Sequence, residues 1–196
     1  MNPRLEAAAG AAGISLDREM SQRLNALGRW LATEAITAGG LGPNERSSIE
    51  ERHLAGSILF ACGWATPPPV CWDLGSGAGL PGLVLACIWP LSRLILVDSS
   101  ARRCELARRG GRVVGVDVEV REDRIEALEG PFEAIVSRAA IPAADFRPII
   151  GRLLAPGGVA VISGGRRKAP AGFERLRFPD DEFFDREARL LIMRSP

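Results

Sequence analysis

Residues 70–98 constrain this chain more than any other stretch. An apolar run, Val70-Cys71-Trp72-Asp73-Leu74, opens into Gly75-Ser76-Gly77-Ala78-Gly79-Leu80-Pro81-Gly82, and a second run, Leu94-Ile95-Leu96-Val97, ends on Asp98. The order reads as a buried strand, a glycine turn, a helix and a second strand with an acid at its tip, which is the layout of a site for a nucleoside-bearing cofactor. Glycines at 75, 77 and 79 lack the Cβ atoms that would hold a ligand off the backbone. Pro81 suits the first helical position, because the N–H it lacks would have no partner there. Asp98 follows the turn by about 20 residues, the offset at which a carboxylate can accept from both hydroxyls of a ribose.

Two cofactor classes use this layout. Gly77-x-Gly79-x-x-Gly82 fits a dinucleotide fingerprint. Asp73 ahead of Gly75-x-Gly77-x-Gly79 fits a methyltransferase turn, since an acid there helps to hold the ammonium and sulfonium charges of S-adenosylmethionine and would repel a pyrophosphate. A ligand-free strand-to-helix turn, with Asp98 capping the following helix, is the plain structural alternative.

The chain has 196 residues, 46% of them hydrophobic, enough to bury one sizeable core. Its formal net charge of +1 creates no global attraction for a polyanion, so any nucleic-acid contact must come from local patches. Cys62, Cys71, Cys87 and Cys104 show no metal-ligand spacing and are expected as reduced thiols, with no metal. No run approaches the roughly 20 apolar residues of a membrane span, and Met1 to Leu16 lacks an apolar signal core. These features predict a cytoplasmic protein away from the membrane, monomeric by default.

Apolar residues at Leu16, Met20, Leu24, Leu27 and Leu31 predict an amphipathic helix ending near Gly39-Gly40. Ser47-Ser48-Ile49-Glu50 offers a capping box for a second helix with Ile49, Leu54, Ile58 and Cys62 on its apolar face, and the Ala/Gly-rich start reads as frayed. Beyond the second strand, we expect a helix over 100–109, a strand over 113–120, a strand over 132–137, a helix over 142–154 and a strand over 157–162. Segments 173–178 and 188–193 read as two last strands, the final one antiparallel. Strands alternating with helices imply a parallel α/β sheet.

Glu51-Arg-His-Leu-Ala-Gly-Ser57, Asp73-Leu-Gly-Ser-Gly-Ala-Gly-Leu-Pro-Gly82, Leu96-Val-Asp-Ser99 and Val136-Ser-Arg-Ala139 occur in this order between residues 51 and 139. Together they resemble the bacterial 16S ribosomal RNA methyltransferase G family, also called glucose-inhibited division protein B, of which the chain would be a diverged member. The resemblance implies an α/β, Rossmann-like class I S-adenosylmethionine-dependent methyltransferase sheet over 67–196 with an N-terminal helical extension over 1–66, folded as one unit. It implies methyl transfer to N7 of a guanine in 16S rRNA, free or within the small ribosomal subunit. By motif matching, cofactor contacts fall on Gly75, Leu80, Ile125, Glu126 and Arg138, with Gly77 and Asp98 nearby, while His53 becomes a pocket residue on the substrate side. The chain departs from the family pattern at Glu34-Ala-Ile-Thr37, at Gly56 where the family has an acid, and at Ser163-Gly164-Gly165 where it has a lysine.

Guanine N7 carries an in-plane lone pair without a proton, so its methylation needs no general base. That suits a chain with one His, no Tyr and no nucleophile–base set, and no catalytic side chain is expected. Arg166, Arg167 and Lys168 follow the fifth strand, where they could grip a phosphate backbone. Arg102, Arg103, Arg108, Arg109 and Arg112 read as a solvated helix face. Other readings stay open: methylation of another RNA or a small molecule, a non-catalytic cofactor-binding ribosome-associated module, His53 as a structural histidine, Arg138 as a surface ion-pair partner and Glu126 as a solvated residue.

Overall fold

Two capped helices begin the chain in the computed structural model, which describes residues 2–164, 168–176 and 189–196. In α1 (Pro3–Ala11) the Asn2 side chain accepts from the Arg4 N–H and Pro3 occupies the first turn, so the segment expected to fray is a defined helix. Its buried face is Leu5, Ala8 and Ala9, small enough for close packing on residues 49–55. In α2 (Arg18–Trp30) Asp17 caps the Met20 N–H at 2.8 Å; Leu24, Leu27 and Leu31 of the predicted stripe are buried, and so is Trp30, which the stripe did not include. The helix continues as wider π turns over Leu31–Ala35 and ends at Gly39, whose φ of +70° suits a helix terminus.

The second predicted helix is not one regular helix. A 3-10 turn (Pro43–Ser48), π turns (Ile49–Ala55), the single turn α3 (Gly56–Ile58) and a 3-10 turn (Leu59–Gly63) follow one another, and Ser48 makes no side-chain cap. Burial explains the departure: Ile49, His53, Leu54, Ala55, Ser57, Ile58, Leu59, Phe60 and Ala61 are all inside, so contacts on several sides override the local capping signal.

Then come β1 (Val70–Leu74), α4 (Gly82–Ile88), β2 (Arg93–Asp98), α5 (Ala101–Val114), β3 (Val118–Glu122), β4 (Phe132–Ser137), α6 (Ala143–Leu153), β5 (Leu154–Ser163), β6 (Glu174–Arg175) and β7 (Leu190–Arg194). Among the described residues the sheet runs in the order β3-β2-β1-β4-β5-β7-β6. β1 to β5 run parallel to one another, and β7 returns antiparallel beside β5, as expected for the last strand. The predicted positions 177, 178 and 188 lie outside the described residues.

Two corrections concern α4 and α5. Pro81 stands just before α4 rather than inside it. α5 runs five residues past Arg109 to Val114, because Gly110 and Gly111 make room for close packing: a Cβ on Gly110 would lie 2.7 Å from Leu83 Cδ1 and 3.0 Å from the Trp30 ring. Gly115, at φ +68°, ends the helix, and strand three starts at Val118 instead of Val113.

Alternation along the strands divides the core. Leu94, Leu96, Ala134, Val136, Val159 and Val161 pack with the N-terminal helices, α4 and α5 on one face. Ile95, Val97, Ile135, Ala160 and Ile162 pack with α6 on the other. The strand order reverses between β1 and β4, the point at which an open α/β sheet parts beyond its C-terminal edge to leave a crevice.

Candidate functional site

At that crevice the chain leaves β1 through the glycine turn. The Gly75 and Ser76 N–H groups both donate to the Val97 carbonyl, at 2.8 and 3.0 Å, which ties the turn to the tip of β2. The three glycines serve different ends. A Cβ on Gly75 would meet Ala140 Cβ at 2.4 Å and one on Gly79 would meet Leu83 at 2.5 Å, so these two accommodate protein packing rather than a ligand. Gly77, at φ +58°, has open space where its Cβ would point, and it alone fits the expectation of a backbone left clear for a ligand.

Asp98, buried at the end of β2, accepts from Gly77 N–H through Oδ2 and from Ser100 N–H through Oδ1, both at 3.0 Å. It therefore shapes the turn and holds the Ser100 N–H just ahead of α5, which has no side-chain cap. Each carboxylate oxygen has a second lone pair, so ribose contact is compatible with both bonds. Arg103 lies 3.8 Å from the same carboxylate.

Asp73 departs from expectation. It is fully buried, it accepts from Gly82 N–H at 2.7 Å through Oδ2, and it is not in the cavity wall; it holds the entry to α4 from behind the turn. Burial pushes its carboxyl up to about 7, against the Gly82 hydrogen bond and the charge of Arg138. Its Oδ1 and the buried Ser76 Oγ have no hydrogen-bond partner among the described residues.

A cavity of about 460 Å³ opens over the turn. Gly75, Gly77, Leu80, Asp98, Ile125, Glu126 and Arg138, all seven predicted cofactor positions, line it. Ser76, Ser99, Asp123 and Ala139 line it too, and the residue pattern singled out none of these. A second cavity of about 410 Å³ shares Gly40, Leu41, Arg138 and Ala139 with the first and adds Glu45, Arg52, His53, Phe60 and Ser163. Ala139 is held at φ +55° with its N–H donating to Ser163 Oγ at 2.7 Å, a conformation rare for a residue with a Cβ and concentrated at functional sites. Ser137 Oγ donates to the Leu74 carbonyl at 2.6 Å, joining the tips of β4 and β1 across the switch point.

His53 is buried in the wall of the second cavity, facing Glu45 and Arg138. Burial, with Arg138 beside it, lowers its pKa to about 4 in spite of Glu45, so the ring is neutral at physiological pH. Glu45 is held below the ordinary carboxylate range: burial opposes its ionisation, but the hydrogen bond from His53 and the charge of Arg52 prevail. Of the predicted basic cluster, Lys168 is exposed, and Arg166 and Arg167 lie outside the described residues. On α5, Arg109 pairs with Glu34 at 2.6 Å and Arg112 with Glu105 at 2.9 Å, as a solvated face would, whereas Arg103 turns to the cavity.

Among the described residues, no helix is long and apolar enough to cross a membrane and no group of three or more His, Cys, Asp or Glu could hold a metal ion. All four cysteines are unpaired.

The strand order, the glycine turn after β1, the acid ending β2 and the crevice between β1 and β4 define a Rossmann-like class I fold. The ribosomal protein L11 methylase of Lactobacillus delbrueckii subsp. bulgaricus shares the fold, with a TM-score of 0.52 and 17% identity over 72% of this chain and 78% of that one. The chain belongs to the rRNA small subunit methyltransferase G family, whose model matches residues 20–171. A ribosomal RNA small subunit methyltransferase G from Halorhodospira halophila is 34% identical over 79% of this chain and 74% of its own length. One from Rhodospirillum centenum is 32% identical over 85% and 77%.

Proposed function

We propose that this chain transfers a methyl group from S-adenosylmethionine to N7 of a guanine in 16S rRNA, working in the cytoplasm on the RNA or the small ribosomal subunit. The observation that carries this reading is the pair of adjoining cavities at the sheet's switch point, one with the features of a nucleoside site and the other opening beside it through the shared Arg138 and Ala139. The nucleoside site fits the cofactor on its own geometry: Gly77 with its uncovered backbone, Ser76 with a hydroxyl that has no partner among the described residues, and Asp98 all line the first cavity.

Bound there, S-adenosylmethionine supplies an electrophilic methyl on a sulfonium. Asp98 would hold the ribose hydroxyls, Ile125 and Glu126 would hold the adenine, and Arg138 would offer a positive charge to the amino-acid carboxylate. Gly75, Gly77 and Leu80 give the close wall. The methyl so supplied would pass to the in-plane N7 lone pair of a guanine held in the second cavity, an acceptor that has no proton to lose. No proton moves, so the neutral His53 is not a general base; the chain contributes alignment of two bound partners and a field that tolerates the new charge. Arg166, Arg167 and Lys168, beyond β5, hold the RNA backbone, and His53 belongs to the wall on the base side.

Calorimetric titration with S-adenosylmethionine, S-adenosylhomocysteine and NAD tests the cofactor, followed by transfer of labelled methyl to 16S rRNA and to small subunits with mapping of the modified base. Micromolar binding of the first two and label on a guanine N7 is the expected result. Binding without transfer to any RNA would favour a non-catalytic module, and label on another acceptor would displace the substrate.

A further inference from the structure

His53 stands between its two neighbours with both ring nitrogens engaged: Nδ1 faces Arg138 Nη2 at 2.5 Å, and Nε2 faces Glu45 Oε2 at 2.9 Å. A guanidinium has donors only, so the nitrogen it meets must present a lone pair. The ring proton therefore sits on Nε2, where the carboxylate accepts it. Carboxylate, imidazole and guanidinium are joined end to end. Glu45 is anchored at one end by Arg52 Nη1, at 2.7 and 3.0 Å, and Arg138 at the other also donates to the Arg52 carbonyl and the Ser57 hydroxyl, both at 3.2 Å. Arg138 lines both cavities, whereas Glu45 lines only the second.

We infer that Glu45 is a positioning residue that acts on Arg138 through His53: by keeping the ring proton on Nε2, it leaves Nδ1 open to the guanidinium and so fixes the positive charge facing the methyl-donor cavity. Without Glu45 the ring is free to carry its proton on Nδ1. Donor would then face donor, and Arg138 would turn away from the ring. The inference rests on reading the first cavity as the donor site.

The chain has a single histidine, so imidazole ¹⁵N spectra report on this residue alone. In the full-length protein at neutral pH, the expected spectrum is that of the Nε2–H tautomer, and S-adenosylhomocysteine shifts the Nδ1 resonance. Glu45→Ala populates the Nδ1–H tautomer and weakens S-adenosylhomocysteine roughly tenfold, about the loss of one charge-assisted contact. Glu45→Gln keeps an acceptor for Nε2–H and recovers most of that loss. An Nδ1–H ring in the wild type, an Nδ1 resonance unmoved by S-adenosylhomocysteine, or equal affinity in wild type and Glu45→Ala overturns the inference while leaving the donor site standing. Absence of S-adenosylhomocysteine binding by the wild type overturns both. Should Glu45→Ala fail to fold, the two wild-type spectra decide.

Discussion

At the scale of single residues, Asp98 does the most with the fewest atoms. Its carboxylate holds the Gly77 and Ser100 N–H groups at 3.0 Å each, and the residue lines the first cavity. Asp98→Ala should weaken S-adenosylmethionine binding by roughly 1–3 kcal/mol, read by calorimetry, through loss of the ribose contacts and of the shape of the turn. Unchanged affinity would remove Asp98 from the site. The carboxylate's position was legible from strand and turn spacing, because backbone geometry fixes where the tip of β2 meets the turn. Glu45 was not. It is eight residues from His53 in the chain, and irregular turns rather than a helical period bring the two within 2.9 Å. Asp73 misled for a related reason: its place before the glycines is plain in the sequence, but which side of the turn a buried carboxylate faces depends on packing that the sequence does not display.

At the scale of elements, the bounds of β4 and α6 were readable and the junction of α5 with β3 was not. β4 spans the predicted 132–137, since Phe132 and the Ala134-Ile135-Val136 run are apolar and buried on both faces. The end of α5 was missed because Gly110-Gly111 looks like a stop when only local propensity is weighed, whereas Leu83 and Trp30 need the space. Gly110→Ala should therefore destabilise the protein. Overpacking between two buried side chains costs about 1–3 kcal/mol, against about 1 kcal/mol gained in helix propensity, and denaturant unfolding would read a net loss near 1 kcal/mol. A gain in stability would mean that Leu83 and Trp30 yield freely. The basic cluster after β5 tests the proposed RNA contact. Replacing Arg166, Arg167 and Lys168 together with Ala should weaken 16S rRNA binding, reduce the slope of log K against log salt by about 2–3, and leave S-adenosylmethionine affinity alone. An unchanged slope would make the cluster a bystander.

At the scale of the whole molecule, two buried groups pull stability in opposite directions as pH changes. His53 falls from its ordinary 6.5 to about 4 on folding, so between those values the unfolded chain binds more protons and stability is lost as pH drops. Asp73 rises from 3.8 to about 7, so over that range the folded chain binds more protons and stability is lost as pH climbs. The two slopes partly cancel between pH 4 and 6.5. Asp73→Asn should steepen the fall in melting temperature on acidification, and His53→Gln should flatten or reverse it; parallel melting curves across pH for wild type and both variants would refute the assignment. The core on the helix-bearing face runs from Leu5 to Ile192, and we take the N-terminal 66 residues to fold with the sheet as one unit. That continuity follows from apolar stripes visible in the sequence, but which helix covers which strand is settled only by the packing.

One guanidinium, that of Arg138, is a wall of both cavities. Its setting is therefore common to whatever occupies either one, and the proposed placement of donor and RNA in the two predicts that their binding is coupled. Thermodynamic linkage then fixes a symmetry: the factor by which bound donor alters the affinity for RNA equals the factor by which bound RNA alters the affinity for donor. The spent cofactor obeys the same rule with its own factor, and the ratio of the two factors sets whether methylated RNA holds its by-product or expels it.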